Sequence, residues 1–193
     1  MRNITLYIIT LFISNFSIAQ KQYILSKTDG SKIVMDGFIS DDEKSISYKK
    51  TVDYEWQPGY NTPAKLETDI YMSYTEEFIY FGVKAYSNPE DIRGQVRPRD
   101  EMAMGLNEDI VFLRFDPYLD ARSVYLLASN AYGSQSDIRA KQAINDEDRY
   151  DSSFNAIYET ISSINEDGYT VEFLIPFTSI PHPLSLIHIS EPT

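Results

Sequence analysis

Over much of this chain apolar and polar residues alternate with a period of two, and that period predicts strands. In 68–74, Thr68, Ile70, Met72 and Tyr74 alternate with Asp69, Tyr71 and Ser73. Across the turn Thr75-Glu76-Glu77 lies Phe78 to Tyr86, where Ile79, Phe81, Val83 and Ala85 share a face. Alternation on both sides of a short polar turn predicts an antiparallel hairpin with one buried face. Ile110 to Phe115 and Val124 to Ser129 predict a second pair, joined through Asp116-Pro117-Tyr118-Leu119-Asp120. Ala156 to Ile164 and Tyr169 to Ile175 predict a third, around Asn165-Glu166-Asp167-Gly168. Tyr23 to Thr28 reads as a first strand and Ile33-Val34-Met35 as a short apolar run, each followed by an Asp-Gly pair that accepts the positive φ of a tight turn.

The intervening segments carry other signals. Ile39 to Lys50 is polar and acidic, with room for one helical turn, and Asn88-Pro89-Glu90-Asp91 can start a brief helix. Trp56 to Pro63 reads as a loop, because two prolines and a glycine do not sustain a central strand. Asn145 to Asp151 is a charged loop. No long helical period intervenes, so the pattern predicts an all-β fold, an immunoglobulin-like or jelly-roll-like antiparallel β-sandwich.

Both ends of the chain depart from that pattern. Met1-Arg2-Asn3 gives a positive start, Ile4 to Phe16 is mostly apolar, and Ser17-Ile18-Ala19 places small residues before Gln20. This predicts a signal peptide over 1–19 and an exported product that is periplasmic, outer-membrane-associated or extracellular. The apolar run is short for a membrane span, which needs about 20 residues, and no second one follows, so the mature chain is expected to have no transmembrane helix. The last ten residues, Leu184 to Thr193, resemble the translation of a transposon-type sequencing adapter. On that reading the domain covers 20–183 and stops before its last strand.

Composition narrows the partners. The chain has no cysteine, so no disulfide assists the core. Its net charge of −12 repels nucleic-acid phosphates and anionic lipid while suiting neutral glycans and calcium.

Ile33-Val34-Met35-Asp36-Gly37 resembles the opening signature of carbohydrate-binding module family 9 and its DOMON-like relatives. The resemblance continues through Glu67 to Tyr71, Phe78 to Val83, Arg97-Pro98-Arg99-Asp100, Asn107-Glu108-Asp109, Glu166 to Glu172 and Ile175-Pro176-Phe177. It implies a noncatalytic glycan-binding module linked to carbohydrate catabolism, at the start of a longer exported bacterial protein whose β-barrel-like C-terminal domain is a second partner. Relatives often have tryptophan where this chain has Tyr158 and Tyr169, which adds Tyr158 to the ligand-binding candidates.

The residues support several readings of the chemistry. Aromatic rings stack on the C–H faces of sugars, and Trp56, the only tryptophan, sits between Tyr54 and Tyr60 as a glycan platform or as a staple for its loop. Arg97, Arg99, Asp100 and Asn107 can orient hydroxyls; alternatively, the arginines pair with Glu108 and Asp109. Glu108, Asp109 and Asp116 are oxygen ligands of the kind calcium takes, without the spacing of a helical calcium loop; no cofactor is required. Glu159 and Glu172 are the carboxylates placed for glycosidase chemistry, but alternation puts both on a solvent face. His182 has no nucleophile near it in sequence, and there is no Gly-x-Ser-x-Gly, zinc spacing or phosphate loop. The function expected is carbohydrate binding. The alternatives are a structural or interaction domain packing on the missing C-terminal domain, and part of a glycoside hydrolase acting on O-glycosyl bonds.

Overall fold

The hairpins with the cleanest alternation form where they were expected, within a two-sheet β-sandwich. The computed structural model describes residues 25–55, 60–102, 107–119, 122–141 and 149–181. Residues 1–19, expected to be a signal peptide, Trp56, His182 and the adapter-like tail lie outside the described residues.

In chain order the elements are β1 (Ser26–Lys27), α1 (Asp41–Ile46), β2 (Tyr48–Thr51), β3 (Tyr54–Glu55), β4 (Thr62–Pro63), β5 (Thr68–Tyr74) and β6 (Phe78–Tyr86). They continue as β7 (Ile110–Phe115), β8 (Ser123–Asn130), β9 (Gln135–Lys141), β10 (Tyr150–Asp151), β11 (Glu159–Asn165) and β12 (Gly168–Pro176). One sheet has the order β1-β5-β6-β12-β11, with β2 also on β5; the other runs β10-β9-β8-β7; β3 and β4 form a separate hairpin. Every pairing is antiparallel except the short parallel contact of β1 with β5.

Register explains the core. Val171 lies opposite Val83, Phe173 opposite Phe81 and Ile175 opposite Ile79, so these side chains share the face turned to the second sheet. From there Leu113, Tyr125 and Leu127 meet Tyr169, Val171, Phe173 and Ile175. Phe81 packs edge-on against Phe115 at 5.9 Å between ring centres, joining β6 to β7.

The first hairpin departs from expectation in one respect: both of its faces are covered. On β5 the outward residues Asp69, Tyr71 and Ser73 are more buried than their core-facing neighbours. The cover over Tyr80, Gly82 and Glu172 is the segment 33–46, which crosses the outer side of the six-stranded sheet as a strap. Ile33-Val34-Met35 is therefore no strand. It keeps the strand period, with Val34 and Phe38 exposed and Gly37 buried, but pairs with no neighbour. α1 follows, started by a capping box in which Ser40 Oγ accepts from Glu43 N at 3.2 Å and Glu43 Oε2 accepts from Ser40 N at 2.7 Å.

Two glycines record how closely the strap lies. A Cβ on Gly82 would stand 2.9 Å from Ile39 Cγ1, and one on Gly37 would stand 3.0 Å from Ser163 Cβ. Gly37 also has φ +87°, in the left-handed region.

Candidate functional site

The arm between the buried residues Ile92 and Met102 carries three of the residues expected to touch ligand. It has no strand of its own, so polar contacts hold it. Its anchor is Asn130, fully buried at the end of β8. The Asn130 amide nitrogen donates to Gln95 O and to Glu108 Oε2, each at 2.9 Å. Its oxygen accepts from Tyr132 N at 3.0 Å and Ser134 N at 2.9 Å, shaping the β8–β9 turn. Arg97 Nε donates to Glu108 Oε1 at 2.8 Å, and Arg97 N donates to Ser134 Oγ at 2.7 Å. The Asn130 amide, assisted by Arg97, holds Glu108 below the usual carboxylate range.

Arg99 is placed differently from the expected pairing. Its partner is the buried Asp137 of β9, not Glu108 or Asp109; the same nitrogen donates to Ala156 O at 2.7 Å, and the guanidinium lies 5.4 Å from the Tyr158 ring centre. Asp100, at φ +65°, accepts from Asp137 N at 3.1 Å. Asp137 Oδ2 accepts from Ala156 N at 2.6 Å. Arg97, Arg99 and Asp100 thus tie the arm to β9 and to the segment before β11, with about a third of each side chain still exposed.

The other candidates are scattered. Tyr158 is buried, stacks at 6.3 Å on Phe173, and shares its one hydroxyl proton between Ser136 O at 2.9 Å and Ala128 O at 3.0 Å. Burial pushes its phenol up. Its ring is core and not ligand surface. Asn107 is exposed at φ +77°. Asp109 Oδ2 accepts from Arg93 N at 2.7 Å, and Asp116 lies in the turn after β7, its carbonyl accepting from Leu119 N at 3.2 Å. Among the described residues no three histidine, aspartate or glutamate side chains gather into a metal site, so Glu108, Asp109 and Asp116 are not brought together as one cluster.

Glu172 is not on a solvent face. It is fully buried under the strap, while Glu159 is exposed on the edge strand β11. By register the two share the outer face of adjacent strands, one exposed and one buried, instead of facing one another from opposite sides of a cleft.

Exposed rings occur at several places, including Phe38, Tyr118, Tyr132 and Tyr150; two of them, Tyr54 and Tyr60, belong to the β3–β4 hairpin, on either side of Trp56 in sequence. Tyr54 and Tyr60 are 59 and 79% exposed. Tyr60 and Asn61 follow one another at φ +52° and +63°, a conformation uncommon in residues other than glycine. Glu55 accepts from Thr62 Oγ1 at 3.1 Å and pairs with Lys65 at 3.4 Å, closing the base of the hairpin.

This architecture recurs in solved structures. A family 9 carbohydrate-binding module from Caldicellulosiruptor kristjanssonii, solved with cellotriose, superposes with a TM-score of 0.52 at 14% identity, over 81% of this chain and 69% of that one. The chain has the fold of a family 9 carbohydrate-binding module. The glucose complex of a family 9 module from the same organism superposes at 0.50 and 14% identity, over 80% of this chain and 70% of that one. A Bacteroides uniformis protein proposed to bind carbohydrate superposes at 0.50 and 17% identity, over 69% of this chain and 62% of that one. No protein-family model and no curated protein matches the sequence.

Within this family 9 fold, the aromatic hairpin could not be located as a unit from the sequence. Tyr54, Trp56 and Tyr60 were legible as loop aromatics, but the pairing of Tyr54 with Pro63 and of Glu55 with Thr62 leaves no alternation to read. Among the described residues no helix is long and apolar enough to cross a membrane.

Proposed function

We propose that this domain is a noncatalytic carbohydrate-binding module of an exported protein, and that its glycan lies on the β3–β4 hairpin. The observation carrying this reading is the family 9 fold, because solved modules of that fold hold cellotriose and glucose. The hairpin supplies what sugar stacking needs: exposed rings at Tyr54 and Tyr60, on either side of Trp56. The acidic surface favours a neutral glycan over an anionic one. Export is supported by the leader-like residues 1–19, and carbohydrate catabolism is the process such a module serves.

Titration of the folded chain with cellotriose, then with a broad panel of neutral glycans, should shift the fluorescence of Trp56, its only tryptophan. Trp56→Ala and Tyr60→Ala should each abolish binding, and Tyr60→Ala should move stability by less than about 0.5 kcal/mol, since that ring is exposed. Trp56→Ala binding is read by calorimetry, since the reporter is then gone. Absence of binding across the panel would leave the second reading, a domain that docks on another part of its parent protein. One observation favours that reading: by register Phe112, Leu126, Ile138 and Ala140 share the outer face of the four-stranded sheet, an apolar patch interrupted by the exposed Arg114.

A further inference from the structure

The strap 33–46 is fastened at both ends and at one point between. Thr28 N donates to Tyr74 O at 2.8 Å on one side, and β2 pairs with β5 on the other. Among the described residues, the hydrogen bonds that join 33–46 to the sheet all end on one carboxyl, Glu172 of β12. Its Oε2 accepts from Asp36 N at 3.2 Å and Gly37 N at 2.6 Å, and its Oε1 accepts from Tyr80 OH at 2.8 Å. Glu43 ties the strap only to itself, accepting from Val34 N at 2.9 Å and Ser40 N at 2.7 Å.

Glu172 therefore carries the strap's polar attachment while fully buried. The titratable groups around it are Tyr80 from β6 and Glu43 from α1; Asp36 meets it through its backbone amide, and the exposed Glu159 shares its face from β11. Its three donors are neutral. Glu43, itself buried, adds a second acid at the same place. A carboxylate so placed is ionised at a cost that disappears when the strap lifts and water reaches it.

We propose that Glu172 is a proton-operated latch: its protonated carboxyl holds the strap 33–46 on the outer face of the six-stranded sheet, and its ionisation favours release of that segment. Burial first, and then Glu43, push its pKa up to about 7, from an ordinary 4.5, against the pull of the Tyr80 and backbone hydrogen bonds. The sign follows. The closed state binds a proton that the open, hydrated state does not hold between these two values. Opening thus becomes easier as pH rises through that window, by about tenfold per pH unit, and levels off above the upper value.

The test is amide hydrogen exchange of the full chain at several pH values, each corrected for the intrinsic exchange rate. Protection of the Asp36 and Gly37 amides should fall about tenfold per unit between roughly pH 5 and 7. In Glu172→Gln, whose amide keeps an acceptor for Gly37 and cannot ionise, protection should not change with pH. A parallel carbon-13 titration of the wild-type Glu172 carboxyl needs no variant and should show a midpoint near 7. Glu43→Gln, which keeps a capping residue, should lower that midpoint and narrow the window. A midpoint near 4.5, flat protection in the wild type, or undiminished pH dependence in Glu172→Gln would each overturn the latch.

Discussion

Arg99 shows how a single residue can look like a ligand contact and serve the fold. Its guanidinium reaches the carboxylate of Asp137 and the carbonyl of Ala156 with one nitrogen while its plane lies near the Tyr158 ring. Asp137 is almost wholly buried, so removing Arg99 leaves a buried carboxylate without its cation. Arg99→Ala should therefore destabilise the domain by about 1–3 kcal/mol, the range for an unmade buried hydrogen bond to a charged group. Arg99→Lys should recover only part of this, since a point charge does not replace the planar fork. Urea denaturation measures both, and unchanged stability in Arg99→Ala would return the residue to the glycan-contact reading. The pairing of Arg97 with Glu108 was legible from the acidic cluster ahead of β7. The partner of Arg99 was not, because Asp137 sits on a strand that sequence alternation does not reveal.

That strand, β9, is the longest element the pattern missed, ahead of the short β2, β3, β4 and β10, and the reason lies in its inward face. Gln135, Asp137 and Arg139 stand opposite Ser129, Leu127 and Tyr125, on the side of β8 that enters the core. These polar residues are accommodated because each finds a fixed partner: Tyr158 O for Gln135, Arg99 for Asp137, and Asp151 for Arg139. Burial without apolar alternation gives no period-two signal. The strap fails in the opposite direction, since Ile33 to Ile39 has the alternation of a strand but no pairing partner. Its fit depends on Gly37, where the positive φ and the nearby Ser163 and Ile161 side chains exclude a larger residue. Gly37→Ala should cost about 1–3 kcal/mol, through backbone strain and displacement of the strap. The loss should appear as faster exchange in 33–46 together with a lower unfolding midpoint. A variant as stable and as protected as the wild type would show that the strap does not need this close approach.

For the molecule as a whole, the sheets and core were visible in the three hairpins, whereas the cover on the outer face was not, because nothing local says that a polar loop will bury Glu172. This placement sets the pH response. The hydrogen bonds from Asn130 and Arg97 hold Glu108 low, Lys84 holds Asp167 low, and the Ser153 hydroxyl with Arg139 lowers Asp151 to about 2. Asp69 is also lowered: burial alone would raise it, but Lys49 and Thr51 prevail. Each depressed group adds stability above its unfolded value near 4, and that contribution is lost as pH falls towards the folded value. Glu172 has the opposite sign: its contribution is complete below 4.5 and is lost as pH rises to about 7. The growing negative charge of an acidic chain acts in the same direction as Glu172 at higher pH. Thermal unfolding should therefore be hardest near about pH 5, with Tm falling on both sides. Glu172→Gln separates the two contributions on the alkaline side, because it removes one titration and leaves the rest of the surface unchanged. The stability difference between wild type and Glu172→Gln should move against the wild type between pH 5 and 7 and become constant above that range. A difference that stays flat across the range would assign the alkaline loss to surface repulsion alone.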